Sequence, residues 1–244
     1  MNNAIVHGLV LKRINYGEND RKITVLSQEE GVVDFLAKGA RKPSSRLSGS
    51  TEPLSVSIFE SSKGRVHRFI TQTQPISSFP GIRADYDRLS YALAIAELAS
   101  AVLPHGKQAE DEFSLMVKTM KMFEVHEKPL VVFVWAQIQL MSAAGNLPAF
   151  GECVATGELV KEAKPWLSPH AGGYIRPEHA MEYTDRFQTT AEILICLKAL
   201  TTRDIPPPHL KFAKECAQTL YPFWREFIGK PIPALETAIL ELHD

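Results

Sequence analysis

Cysteine is scarce in this chain: Cys153, Cys196 and Cys216 are the only three thiols in 244 residues. They are too few and too scattered for a disulfide framework or a four-thiolate metal site. Cys196 lies in the apolar run Ile193-Leu194-Ile195-Cys196-Leu197 and Cys216 in another helix-like run, which makes both core thiols. Long apolar stretches are also lacking, so no segment reaches membrane-spanning length. The opening Met1-Asn2-Asn3-Ala4-Ile5-Val6-His7-Gly8 has neither the basic nor the apolar region of a signal peptide. A cytoplasmic chain with no membrane contact is expected. Signatures of catalysis are missing too: no serine sits in a nucleophile elbow, no His-Glu-x-x-His occurs, and no glycine-rich loop has phosphate-cradling spacing. Gly172-Gly173 reads as a turn, and pairs such as Glu29-Glu30 and Asp85/Asp87 fall in turns or at a helix start, where acids complement the helix dipole. A metal-dependent nuclease needs acids clustered beside a basic face, and none is seen; no enzymatic activity is expected.

What is present is an ordinary globular composition, 45% hydrophobic and 23% charged, with a net charge of −1 that is unevenly spread. Residues 1–80 carry eleven Lys and Arg against seven Asp and Glu, whereas the remainder carries sixteen against twenty-one. Electrostatic footprints are local, so the basic first third is the part that could meet a polyanion. Its densest stretch is Lys38-Gly39-Ala40-Arg41-Lys42-Pro43-Ser44-Ser45-Arg46, with four cations and no acid. Gly39, Pro43, Ser44 and Ser45 break regular structure, so the stretch is expected to be an exposed loop whose small residues let a phosphate backbone approach. A merely solvated basic loop is the plainer alternative.

The same region reads as short strands: Ala4–Leu11, Arg21–Ser27, Gly31–Ala37, Leu54–Glu60 and Arg65–Ile70, with turns at Asn15–Asp20 and Ser61–Gly64. Five short strands in some eighty residues predict a small barrel of the oligonucleotide-binding (OB) type over 1–80. After Pro75 and Pro80 the pattern turns helical over 81–244, with helices at Asp85–Leu103, Glu112–Phe123, Leu130–Ala144, Thr189–Leu200, Leu210–Phe227 and Pro233–Leu242. A Gly/Pro-rich looped insertion occupies about 151–180. The expected class is α+β multidomain, an N-terminal OB barrel followed by an α-helical bundle.

Several fragments, taken in order, resemble the RecO family of recombination mediators. They are Gly8–Leu11, Ala37–Lys42 followed by Leu47 and Glu52-Pro53-Leu54, Leu140–Gly145 with Leu147-Pro148, and then Cys153, Gly157, Leu167-Ser168 and Gly172-Gly173. The resemblance covers essentially the whole chain. It implies binding of single- and double-stranded DNA, annealing of complementary strands, and help in loading RecA onto DNA coated by single-strand-binding protein. RecR and the C-terminal tail of single-strand-binding protein would be partners, RecA an indirect one, and the location the nucleoid. Many relatives carry a four-cysteine zinc knuckle in the insertion. Here the corresponding positions are Cys153, Thr156, Arg176 and His179. Thr and Arg cannot replace thiolates as soft donors, so even a residual site using Cys153, His179 and His170 is not expected, and no metal or cofactor is predicted. Trp166, Leu167, Tyr174 and Ile175 would pin this degenerate knuckle by apolar burial instead.

Annealing needs no covalent chemistry: a cationic surface must neutralise two polyanions and leave their bases free. The residues expected to form it are Arg13, Arg21 and Lys22 on the first two strands, Lys38, Arg41, Lys42 and Arg46 in the loop, and Arg65, His67 and Arg68 on the last hairpin. Neutralising about five phosphates would give a log–log salt slope near −4. Tyr16 and Phe35 are candidates to stack on bases, although a barrel aromatic more often belongs to the core. The alternative function is a protein-interaction scaffold whose acidic helical part receives an acidic, aromatic peptide tail, with Lys118, Lys121 and Lys128 at hand.

Overall fold

The computed structural model describes residues 3–64 and 66–242 and divides into two compact units, Met1–Val125 and His126–Asp244. In the first, five strands close into a barrel: β1 (Asn3–Tyr16), β2 (Asp20–Ser27), β3 (Gly31–Ala37), β4 (Val56–Lys63) and β5 (Arg68–Ser77). Their order is β1-β2-β3-β5-β4, with β4 returning to β1 and the β3/β5 contact parallel, which is the OB topology. Alternation places Val6, Val10, Ile23, Val25, Phe35, Ala37, Phe59 and Ile70 inside, where they form one buried cluster with Ala40. The rings of Phe35 and Phe59 stack at 6.1 Å in its centre. Each such side chain contributes about 1.5–3 kcal/mol by leaving water, so the inner face sets the register.

The first three strands begin close to where the sequence places them, and the differences have local causes. A bulge between Val10 and Lys12 inverts the in/out alternation of β1, after which the strand runs on to Tyr16 as an exposed ribbon with β2. At β4 the expected turn at Ser61–Gly64 is overruled: the strand continues to Lys63, with the Ser61 hydroxyl donating to the Ala4 carbonyl, and the chain reverses where the Gly64 N–H donates to the His67 carbonyl at 2.9 Å. The last strand therefore starts at Arg68, not Arg65, and extends through a polar stretch to Ser77.

The same unit contains α1 (Pro80–Arg83), α2 (Tyr86–Val102) and α3 (Glu110–Val125). The Asp85 carboxylate accepts from the Arg88 N–H at 2.9 Å and caps α2. Between α2 and α3 the Pro104 carbonyl accepts from the Val32 N–H at 2.8 Å, and the Ala109 N–H donates to the Gln28 carbonyl at 3.1 Å. These bonds fasten the helices to the β2–β3 turn. Gly31, at φ +66°, makes the approach possible, since a Cβ there would lie 2.3 Å from the Pro104 oxygen.

The second unit is built on α4 (Pro129–Ala143), buried on nearly every side. Its one fully buried amide, Gln137, is satisfied by the Trp224 indole N–H at 2.9 Å, and the Trp135 indole N–H donates to the Arg203 carbonyl at 2.9 Å. Around it lie α6 (Ala191–Leu200), α7 (Ala213–Ile228) and α8 (Pro233–Leu240), preceded by the single-turn α5 (Pro177–Ala180). The insertion holds a small sheet of β6 (Trp166–Ser168), β7 (Gly173–Ile175) and β8 (Phe187–Gln188), with β6 in the middle. Leu167, Tyr174 and Ile175 are buried and Trp166 is half-buried beneath the Arg186 guanidinium, so apolar packing does hold this region.

Candidate nucleic-acid interface

The stretch Lys38–Arg46 folds as consecutive tight turns between β3 and a single 3-10 turn at Gly49–Thr51. Ala40 faces the barrel core, and the Lys42 N–H donates to the Gly39 carbonyl at 3.0 Å and the Ser45 N–H to the Lys42 carbonyl at 2.9 Å. The loop is tied to the β1–β2 turn at three points. The Gly39 N–H donates to the Asp20 carboxylate at 2.8 Å, the Arg41 N–H to the Asn19 carbonyl at 2.9 Å, and the Arg41 guanidinium to the Gly17 and Glu18 carbonyls at 3.2 and 2.8 Å. Lys38, Arg41, Lys42 and Arg46 are all exposed, and among the described residues Lys42 and Arg46 have no acidic partner. A pinned backbone thus presents a cationic rim, and little order must be gained on binding a phosphate chain.

The other expected cations have structural partners that sequence reading did not foresee. Arg21 is only 8% exposed; it donates to the Ser48 carbonyl and the Thr51 hydroxyl, each at 2.9 Å, and pairs with Glu52 at 3.0 Å. Arg13 reaches the same Glu52 oxygen at 2.9 Å. Lys22 pairs with Asp34 at 2.8 Å. Burial tends to raise the Asp34 pKa, but hydrogen bonds from Lys22 and Thr24 outweigh it and leave the group below its ordinary value. Arg68 pairs with Glu30 at 2.5 Å, donates to Ser61 and lies over the Phe35 ring. Arg65 lies outside the described residues. His67 stands edge-on to Tyr16 at 6.1 Å and to Phe69 at 6.4 Å. Of the two aromatics considered for stacking, Phe35 is core and Tyr16 is exposed.

In the second unit the two turns of the degenerate knuckle persist without a donor set for a metal. The Gly157 N–H donates to the Cys153 carbonyl at 2.8 Å and the His179 N–H to the Arg176 carbonyl at 3.0 Å, closing the turns. Cys153 is buried, which tends to raise its pKa, but bonds from the Arg176, Ala155 and Thr156 N–H groups and the Thr156 hydroxyl hold it low. Arg176 pairs with Glu158 and Glu178, while His179 lies 2.9 Å from Glu182 and His170 3.0 Å from Glu226. Among the described residues no three His, Cys, Asp or Glu side chains converge, and Arg176 puts a cation where a second thiolate would be required. The residues present do not fit zinc.

Residues 1–79 match the family model for recombination protein O N terminal, and residues 83–234 match that for recombination protein O C terminal. The chain belongs to the RecO family. The RecO N-terminal match coincides with the barrel, and the C-terminal match takes in α2 to α7. Among similar proteins, the DNA repair protein RecO of Heliobacterium modesticaldum is 35% identical over 171 residues, 68% of this chain and 62% of the relative. That of Alkaliphilus metalliredigens is 31% identical over 189 residues, 77% of this chain and 75% of the relative. The aligned stretch thus spans less than two thirds of the first relative's length. Among the described residues no helix is long and apolar enough to cross a membrane.

Proposed function

We propose that this RecO-family chain acts in recombinational DNA repair as a non-enzymatic mediator that binds DNA on its barrel, anneals complementary strands and helps RecA load onto DNA coated by single-strand-binding protein. The reading is supported above all by one observation: the Lys38–Arg46 loop is exposed, rich in cations and rigidly tied to the barrel by Arg41 and Gly39. Two polyanions repel, and a surface that neutralises phosphates while leaving base edges uncovered lowers that barrier without making or breaking a covalent bond. Lys38, Lys42 and Arg46 make the phosphate contacts, and Arg41 holds the loop in position. Arg13, Arg21, Lys22 and Arg68, each shared with Glu52, Asp34 or Glu30, contribute a weaker, secondary field. RecR and the acidic tail of single-strand-binding protein are its partners in this reading, and its place is the cytoplasm, at the nucleoid.

The test is annealing of complementary oligonucleotides by the native chain and by Lys42→Glu/Arg46→Glu, with melting temperature as the control for folding. Loss of annealing at unchanged melting temperature is the expected result. Full annealing by the variant would leave the scaffold reading, in which the barrel presents surface only and partners are gathered elsewhere.

A further inference from the structure

Beside the basic loop the outer face of the barrel carries a row of rings. Ala37 and Arg21 oppose each other in register with Ala37 inward, so their neighbours Lys38 and Asp20 project outward, and Tyr16, paired with Asp20, projects with them. On the other side of β3, Phe69 pairs with Leu36 and therefore shares the outward face of Lys38, whose Nζ lies 4.6 Å from the Phe69 ring centroid. His67 bridges the row, edge-on to both Tyr16 and Phe69. The end of β1, the residue that follows β3 and the start of β5 thus contribute to one stripe: Tyr16, Lys38, His67, Phe69.

The members of this stripe are not equivalent. A Cβ on Gly64 would sit 2.4 Å from the Phe69 ring, so Phe69 is packed against the Gly64 backbone, lies under the Lys38 ammonium and is half-buried. Tyr16 is 46% exposed and His67 is partly exposed, and Val66 beside it is 81% exposed. Apolar and aromatic groups left open to water at the tip of a strand ribbon, between cations, form a surface that a flat, apolar-faced ligand on a polyanionic thread would cover.

Resting on the reading of the basic loop as a phosphate-binding rim, we infer that Tyr16 and His67 form a stacking platform for unpaired nucleobases, with Phe69 as their buttress. Phosphates of the strand then follow Lys38 and Lys42 while a base lies on the Tyr16 ring. The faces of bases in a duplex are already covered by their neighbours, so the platform discriminates for single strands, whereas the loop alone does not. The occupant is a base rather than a peptide because Lys38, which borders the Phe69 ring, opens the exposed cationic loop that also carries Lys42, and a polyanionic thread complements that charge.

The experiment is fluorescence titration of the full chain with an oligothymidylate and with a duplex of equal length, at one salt concentration. Native chain, Tyr16→Ala/His67→Ala, Tyr16→Phe and Lys42→Glu/Arg46→Glu are compared, with melting temperatures recorded. The expected result is that Tyr16→Ala/His67→Ala loses about ten-fold in single-strand affinity and none in duplex affinity. Tyr16→Phe, which keeps the ring, is expected to bind as the native chain does. Equal losses for both ligands, or no loss for either, would overturn the platform. The loop variant reports separately: if it loses neither ligand, the phosphate-rim reading fails, whatever the aromatic variants show.

Discussion

The Arg21 guanidinium lies 3.0 Å from the Glu52 carboxylate and is nearly sealed from water by the barrel and the segment that follows the basic loop. It also holds the Ser48 carbonyl and the Thr51 hydroxyl, so this cation is chiefly a clasp between β2 and the loop's far end. Removing it takes away the donor to the buried Thr51 hydroxyl and one of the two donors to the Ser48 carbonyl and to the Glu52 carboxylate. Arg21→Ala is therefore expected to destabilise the first unit by about 1–3 kcal/mol, measured by urea unfolding. Under fully folded conditions it should weaken DNA binding less than loss of Lys42 and Arg46 does.

Asp34 holds Lys22 on the outer face and accepts from Thr24 at 2.7 Å. Asp34→Asn frees the lysine and removes a negative charge from the surface, so DNA affinity is expected to rise and the salt slope to steepen by up to about one. Because the folded pKa of Asp34 lies below its ordinary value of 3.8, its stabilising contribution is present above that value and lost as pH falls through the folded pKa. Acid titration of stability below about pH 4 should accordingly be shallower in Asp34→Asn.

In the second unit, His170 is held by hydrogen bonding and charge attraction from Glu226, and His179 chiefly by its bond to Glu182; both pKa values are raised above the ordinary 6.5. Proton NMR of the ring resonances should show both titrating above that value, and Glu226→Gln should bring His170 back toward it. Any stability they lend is fully present below 6.5 and is lost as pH rises through the raised values.

Gly31 stands where any side chain meets the Pro104 carbonyl. Gly31→Ala is expected to cost at least about 2 kcal/mol, through its left-handed backbone and the forced retreat of the α2–α3 connection. A melting temperature equal to the native value would show that this connection moves freely from the barrel.

The barrel was legible because its inner face keeps strict alternation in β2 and β3, where Ile23, Val25, Phe35 and Ala37 fall on one side. Legibility failed where alternation is broken by bulges, in β1 after Val10 and in β4 after Glu60, and where β5 runs polar through Gln72 and Gln74. The cations of the candidate interface could be read from composition alone. Their partners could not: Glu52 lies 31 residues beyond Arg21 in the chain, and only closure of the barrel brings them together. His67 was read as a candidate, but its contacts with Tyr16 and Phe69 were hidden for the same reason, since β5 reaches β3 by a parallel pairing that no local pattern announces.

The most direct test of the account is the salt dependence of single-strand binding for the native chain and for Lys42→Gln/Arg46→Gln. With two phosphate contacts removed and the fold intact, affinity should fall and the log–log slope should become shallower by about one to two. An unchanged affinity and slope would contradict the account, because phosphates would then be met on some other surface.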